Sequence, residues 1–210
     1  MKNIALFGAT GKAGSQFLKQ ALAKGYRVKA LVRTPEKITH LHPNLEIIKG
    51  DVLHEADVYK TVAGTDLVVS LFGHVKGSPE WLQTNGTENI IKAMEQEGIG
   101  KIISLSGGGL PAPEDQPKFP DKMIRFIMKI VVPKILNDAE RHAEVLRKSN
   151  LDWIIVRGPR LKEMDKKGSY KVGWVGTTGG TVISYADLAD FILQQVESDQ
   201  FTGKMPFVSY

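Results

Sequence analysis

The chain has 210 residues, and its 28 Lys and Arg against 23 Asp and Glu give a formal net charge of +5. This length allows a full α/β core in one domain, which we expect to span residues 1–210, and the basic residues are too scattered to predict a nucleic-acid partner. No cysteine occurs, which excludes disulfides, thiol catalysis and cysteine metal sites and fits the cytoplasmic location that we expect.

The first predicted strand, residues 4–7, leads directly into a glycine-rich turn and then into a helix that opens at about Lys12. Gly8 permits a tight turn, Gly11 lets the backbone approach a pyrophosphate, and Gly14 lets the helix pack closely on the strand. The unpaired N–H groups at the start of the helix face the phosphate charge. Strand, turn and helix in this order predict a dinucleotide-binding site.

The second predicted strand ends in Arg33, and no Asp or Glu falls between residues 26 and 35. An acidic residue at this strand end would bind a ribose 2′-hydroxyl and mark NAD, whereas an arginine accommodates a 2′-phosphate with its planar pair of donors. Lys12 and Lys37 are placed to add positive charge. The alternative is that Arg33 is an ordinary surface base. We favour the phosphate role and therefore predict NADP(H) as the cofactor.

The rest of the chain alternates strands with helices. Strands are predicted at residues 45–48, 67–71, 101–105 and 153–156. Helices are predicted at residues 12–24 with Gly25 as the stop, near residues 54–63 and 84–97, in a long segment that ends near Ser149, and after an N-cap at Ser184. In the long segment Asn137 and Glu140 form a capping-box pattern, although Pro133 offers an earlier start. Continuous apolar strands between helices predict a doubly wound parallel sheet, a Rossmann fold, with a small C-terminal region on the substrate side.

Residues at the ends of the next two strands are candidates for the adenosine half of the site. Asp51 and Val52 follow the third strand, where a carboxylate can accept a hydrogen bond from the adenine amine, but Asp51 is equally well explained as a helix cap. Phe72, Gly73 and His74 follow the fourth strand, where the chain is expected to pass the adenine ribose. We expect His74 to border the cofactor rather than to catalyse.

The ends of the fifth and sixth strands are expected to lie near the nicotinamide. Ser106 and Gly107 follow the fifth strand. Pro159 and Arg160 follow the sixth strand, where Arg157 and Gly158 are also candidates to flank the nicotinamide ring. His142 is expected at the surface or at an interface. The five histidines show no metal-ligand spacing, so we predict no metal.

An apolar segment at residues 123–132 is too short to span a membrane and carries two bases. It is able to touch a membrane or a partner, and we favour a lid or a dimer-facing helix. The sequence therefore predicts no membrane partner and leaves a monomer and a homodimer open.

Several stretches together resemble the atypical short-chain dehydrogenase/reductases, especially the NAD(P)-binding NmrA-like proteins and the flavin reductase/biliverdin IXβ reductase group. They are residues 8–14, Arg33, residues 50–52, residues 146–153 and residues 156–159, and the similarity extends over essentially the whole chain. The resemblance implies the same cofactor site as the strand ends do. The full set predicted to bind the cofactor is Gly8, Thr10, Gly11, Lys12, Ala13, Gly14, Arg33, Asp51, Val52, Phe72, Gly73, His74, Ser106, Gly107 and Pro159.

The chain departs from that family at the proton donor. No tyrosine has a lysine four residues later, and the usual positions fall on Ile135 and Ala139, where the histidine of the flavin and biliverdin reductases is also missing. Hydride transfer to a flavin, quinone or similar conjugated acceptor survives this loss, because it depends on orientation more than on acid–base catalysis. Ser106 is the candidate catalytic residue, as a hydrogen-bond partner of the acceptor or the nicotinamide amide, and Arg160 is the candidate to bind an anionic acceptor.

Two other functions remain open at this point. Without the catalytic tyrosine and lysine, the chain is also consistent with a non-catalytic NADP(H)-binding sensor that regulates a partner. An isomerase or epimerase with tightly bound NAD is opposed by Arg33 and by the missing tyrosine.

Overall fold

Ten strands and six helices are present in the computed structural model, which describes residues 1–39, 41–178 and 180–210. The strands are β1 (Asn3–Phe7), β2 (Arg27–Val32), β3 (Leu45–Lys49), β4 (Leu67–Ser70), β5 (Lys101–Gly107), β6 (Asp152–Gly158), β7 (Arg160–Lys162), β8 (Lys171–Gly173), β9 (Val182–Ser184) and β10 (Phe207–Ser209). The helices are α1 (Lys12–Ala23), α2 (Glu55–Val62), α3 (Leu82–Glu97), α4 (Phe119–Val131), α5 (Pro133–Lys148) and α6 (Tyr185–Gln195).

The main sheet has the strand order β3-β2-β1-β4-β5-β6-β10-β8. Its strands are parallel except for β8, which runs antiparallel to β10 at one edge. Strands β7 and β9 form a separate parallel pair on the C-terminal side. The order reverses between β1 and β4, and in such sheets ligands bind outside the carboxyl ends of the strands at that point. The predicted Rossmann fold is confirmed.

Helices cover both faces of the sheet, which explains why its central strands are continuously apolar. On one face, Ile4 and Leu6 of β1 pack with side chains from α1 and α6 such as Phe17 and Phe191. On the other face, Phe7 packs in a cluster formed with α2, α3 and α5. Each central strand is therefore fixed from both sides, and its carboxyl end is held in place for a ligand.

The helix ends predicted at Gly25 and Ser184 are confirmed, whereas the one at Asn137 is not. Gly25 follows α1 with φ +88°, and the Ser184 side chain accepts a hydrogen bond of 2.9 Å from the Asp187 amide at the start of α6. The capping box at Asn137 is wrong, because α5 begins at Pro133 and Asn137 lies inside it. A proline fits the first position of a helix, where its missing N–H costs nothing.

Candidate functional site

The glycine turn between β1 and α1 has the geometry that close approach of a ligand requires. Gly8 has φ +87°, and a side chain there would place its Cβ 2.5 Å from the Phe72 amide nitrogen. A Cβ at Gly14 would collide with the Gly8 carbonyl, so this glycine lets α1 pack on the turn. The Gly11 amide closes the turn by donating to the Gly8 carbonyl at 3.0 Å. Gly11 is also the N-cap of α1 without a side-chain cap, so the first amides of α1 remain available to an anion.

A cleft runs from this turn across the carboxyl ends of β1, β2, β3 and β4. Seven residues predicted from the sequence line it: Gly8, Thr10, Arg33, Asp51, Val52, Phe72 and Gly73. Sequence reasoning missed the other lining residues, which are Phe7, Leu31, Val32, Gly50 and Leu82. The first four are neighbours of predicted residues along the chain, whereas Leu82 begins α3 and had no local signal.

Three basic side chains lie around the glycine turn and the end of β2. Arg33 is exposed on the cleft. Lys12 forms an exposed ion pair of 3.1 Å with Glu163, whose hydrogen bond raises the pKa of Lys12. Lys37 lines a neighbouring cavity that also contacts Thr10. The three basic side chains therefore lie at one end of the cleft, and Arg33 is the one that lines the cleft itself.

Asp51 is part of a turn ahead of α2. Its Oδ1 accepts a hydrogen bond of 2.9 Å from the Leu53 amide, and its own amide donates to Asp57 at 3.0 Å. The N-cap position of α2 belongs to His54, so Asp51 is not the helix cap. It lines the cleft, and its contact with adenine stays a prediction.

Ser106 stands at the carboxyl end of β5 with 7% of its surface exposed. Its hydroxyl is buried and has no hydrogen-bond partner among the described residues. Leaving a buried hydroxyl unpaired costs about 1–3 kcal/mol, and a bound ligand that pairs with it would offset that cost. The adjacent Gly107 is exposed, Pro159 is half-buried beyond the end of β6, and Arg160 is exposed on β7.

Arg157, which we considered as a residue beside the nicotinamide, lies in the protein interior. It is fully buried, and its guanidinium forms two hydrogen bonds to Asp115, of 2.7 and 2.8 Å. It also donates to the carbonyls of Leu110 and Met205. Burial acts to raise the pKa of Asp115, but hydrogen bonds from Arg157 and the Ala112 amide hold that pKa below its usual value. Arg157 therefore fixes the loop that follows β5.

His74 belongs to a buried polar cluster between α3 and α5. Its Nε2 lies 2.6 Å from Asp138, which is fully buried. Asp138 also accepts hydrogen bonds from the amides of Gln83 and Thr84, at 2.8 and 2.9 Å, and from the Thr84 hydroxyl at 2.6 Å. The structure thus holds the His74 side chain on Asp138 and does not bring it to the cleft wall.

The expectation that His142 lies at the surface is wrong. It is 1% exposed, and its Nε2 lies 2.9 Å from the Ser104 hydroxyl on β5. Burial lowers the pKa of His142 to about 4, although the nearby Asp138 charge opposes this shift. Ala139, Ala143 and Leu146 form the buried stripe of α5, and this spacing was a signal that His142 faces inward.

The two positions at which the resemblance led us to look for a proton donor carry apolar side chains. Ile135 is 43% exposed, whereas Ala139 is buried, with 7% of its surface exposed. Within the described ranges, no group of three or more His, Cys, Asp or Glu side chains is placed to hold a metal ion. The described helices include none that is long and apolar enough to cross a membrane.

Comparisons with known proteins agree with the family and the fold. The sequence profile of the family described as NAD(P)H-binding matches residues 8–199. Protein YwnB of Bacillus subtilis is 27% identical over 208 residues, which is 92% of each chain. A short-chain dehydrogenase/reductase from Veillonella parvula has a TM-score of 0.81 at 19% identity, covering 99% of this chain and 94% of that one. The anaerobillin reductase ChuY of Escherichia coli O157:H7 has a TM-score of 0.80 at 21% identity, covering 99% and 96%.

Proposed function

Because this chain belongs to the NAD(P)H-binding family, and its fold is that of the atypical short-chain dehydrogenase/reductases, we propose that it is an NADPH-dependent oxidoreductase. It transfers hydride to a small conjugated acceptor of the flavin or quinone class. The observation that carries the proposal is the arrangement along one sheet edge of three features: the glycine turn, the exposed Arg33, and the Ser106 hydroxyl, which has no partner in the described part of the chain.

The residues present fit a nicotinamide dinucleotide. The Gly8 turn and the amides of α1 would hold the pyrophosphate, Arg33 would bind the 2′-phosphate, and Ser106 would pair with the nicotinamide amide or the acceptor. When bound, the reduced cofactor supplies a hydride. The protein orients the two ring systems against each other. Since Ile135 and Ala139 offer no proton donor, the acceptor class is one that takes protons from solvent, and Arg160 would bind its anionic groups.

The cofactor preference is tested by Arg33→Ala. Removing a paired, charge-assisted contact with phosphate costs about 1.5–3 kcal/mol, so the Kd for NADP⁺ should rise roughly 10- to 100-fold. The Kd for NAD⁺ should change little. Calorimetric titration of both cofactors measures this, and Arg27→Ala, at the exposed far end of β2, is the matched control. Equal weakening of both cofactors would contradict the 2′-phosphate role.

Catalysis is tested by mixing the protein with NADPH and FMN or a quinone and following absorbance at 340 nm. We expect oxidation of NADPH, and a lower kcat in Ser106→Ala. A raised Kd for NADP⁺ in this variant would assign the hydroxyl to the nicotinamide amide, and an unchanged Kd would assign it to the acceptor. Tight cofactor binding without turnover across a broad acceptor panel would instead favour the NADP(H)-sensing function. In that case a partner protein should bind with an affinity that depends on the redox state of the cofactor.

A further inference from the structure

Helix α4 presents an apolar surface to solvent. None of its 13 residues is buried, and seven of them carry large apolar side chains that are at least 49% exposed. These are Phe119, Met123, Ile124, Phe126, Ile127, Ile130 and Val131. Side chains of this kind in one continuous patch mark an interaction site in a water-soluble fold.

The apolar side of α4 faces away from the body of the protein. The half-buried residues of this segment are Asp121, Arg125, Met128 and Val132, whose spacing places them on one side of the helix. Phe126 and Ile130 project from the opposite side and are 64% and 65% exposed. A lid that closed over a ligand would turn its apolar side inward, so this orientation does not favour the lid that we expected from the sequence.

Positive charge borders the apolar side. Lys122 and Lys129 are exposed, seven residues apart, and lie between the half-buried stripe and the apolar side. Neither they nor the preceding Lys118 has a carboxylate within ion-pair distance among the residues that the structure describes. Arg125, by contrast, is paired with Glu140 at 2.9 Å. The charge available to a partner on this helix is therefore cationic.

This combination fits an anionic membrane surface better than a second copy of the chain. Two copies of α4 packed antiparallel about a two-fold axis would place their lysine borders side by side, which is repulsive. A bilayer with anionic headgroups offers acyl chains to the apolar side and phosphates to the lysines, as for amphipathic helices that lie in the interface. At 13 residues, α4 is too short to cross the bilayer.

We propose, in place of our expectation of no membrane partner, that α4 docks the protein on anionic lipid bilayers, with Phe126 and Ile130 inserted below the headgroups and Lys122 and Lys129 among them. A Cβ at Gly109, in the loop after Ser106, would lie 2.8 Å from Met128 of α4. Docking would therefore bring this end of the candidate site close to the membrane. The proposal does not depend on the proposed reaction.

The test is flotation of the full chain with vesicles of phosphatidylcholine alone or mixed with phosphatidylglycerol. We expect binding to the mixed vesicles that weakens with salt, and at least a tenfold loss in both Phe126→Glu/Ile130→Glu and Lys122→Glu/Lys129→Glu. Leu41 is an apolar residue outside α4 that is 84% exposed, so Leu41→Glu should bind the mixed vesicles as the wild type does. Lys60→Glu/Lys204→Glu controls for the change in net charge, and circular dichroism confirms that each variant is folded.

A second variant preserves the apolar side and reports insertion directly. Phe126→Trp should shift its fluorescence to the blue, relative to the parent protein, when mixed vesicles are added. Failure of the wild type to float with mixed vesicles would overturn the proposal, as would unchanged binding of Phe126→Glu/Ile130→Glu. A dimer that dissociates only in that variant, without vesicle binding by the wild type, would assign the surface to a second copy instead.

Discussion

His142 couples stability to pH. Its pKa in the folded protein is about 4, against an ordinary value of 6.5. Between these values the unfolded chain takes up a proton that the folded protein excludes. The free energy of unfolding should therefore fall as pH is lowered through this window, by about 3 kcal/mol from this group. Above pH 6.5 the effect disappears.

Urea denaturation at neutral pH and near pH 4.5 measures this loss. Since carboxylates and other histidines also titrate there, the informative quantity is the difference between the wild type and His142→Gln. The variant lacks the buried imidazole and should lose less stability on acidification. Parallel stability curves for the two proteins would show that His142 does not contribute.

Some residues of the candidate site can be identified from the adjacent sequence, and others cannot. Gly8, Gly11 and Gly14 are recognisable because each is required by backbone geometry within one turn. Arg33 is recognisable from its position at a strand end. The helical spacing of Ala139, Ala143 and Leu146 indicates that His142 faces inward. Its partner Ser104 is 38 residues away in the chain, so no local pattern identifies that contact.

At the scale of elements, α5 provides the hydrogen-bond acceptor for amides at the N-terminus of α3. Its N-cap residue, Trp81, provides no side-chain hydrogen bond, and the carboxylate of Asp138 pairs with the amides of Gln83 and Thr84 instead. An external carboxylate at this end also interacts favourably with the helix dipole. The docking of α5 against α3 thus completes the hydrogen bonding of a helix that borders the cleft.

Asp138→Ala should be strongly destabilising. It would leave two helix amides, the Thr84 hydroxyl and His74 without their buried acceptor, and loss of one partner from such a buried cluster costs about 3–5 kcal/mol. Thermal unfolding measures the effect. Asn137→Ala, at the exposed neighbouring position on the same helix, should change the stability by less than about 0.5 kcal/mol. Similar losses in the two variants would refute the capping role.

Elements were predicted more reliably than the contacts between them. The strands and the helices around the main sheet follow from apolar periodicity and from helix stop and start signals such as Gly25 and Ser184. The cap that Asp138 gives to α3 joins residues 54 apart, so no local pattern contains it. The start of α5 was ambiguous because Pro133 and Asn137 both carry valid start signals.

At the scale of the whole molecule, strand order explains why the site is where it is. The crossover between β1 and β4 opens the cleft, and the pairing of β5 with β6 sets Ser106 level with Arg157. The alternation of strands with helices along the sequence predicted this architecture, because parallel strands with right-handed crossovers allow few topologies. The antiparallel β8 and the β7–β9 pair were not predicted, since three-residue strands carry too little pattern.

The buried ion pair of Arg157 and Asp115 joins three distant parts of the chain. Asp115 also accepts a hydrogen bond of 3.0 Å from the Val175 amide, and Arg157 donates to the Met205 carbonyl at 2.8 Å. The pair therefore ties the loop after β5 to β6 and to the C-terminal region. Loss of one member leaves the other charge buried and unpaired, which is the costly outcome for a buried pair.

We therefore expect Asp115→Leu to lower the free energy of unfolding by about 3–5 kcal/mol. The double variant Asp115→Leu/Arg157→Met should lose less stability than Asp115→Leu alone. It removes the unpaired buried guanidinium and puts an apolar side chain in its place. Urea denaturation of the three proteins gives the coupling. If the double variant is less stable than Asp115→Leu, the hydrogen bonds that Arg157 gives to the Leu110 and Met205 carbonyls outweigh the burial of its charge, and the ion pair is not what holds the loop.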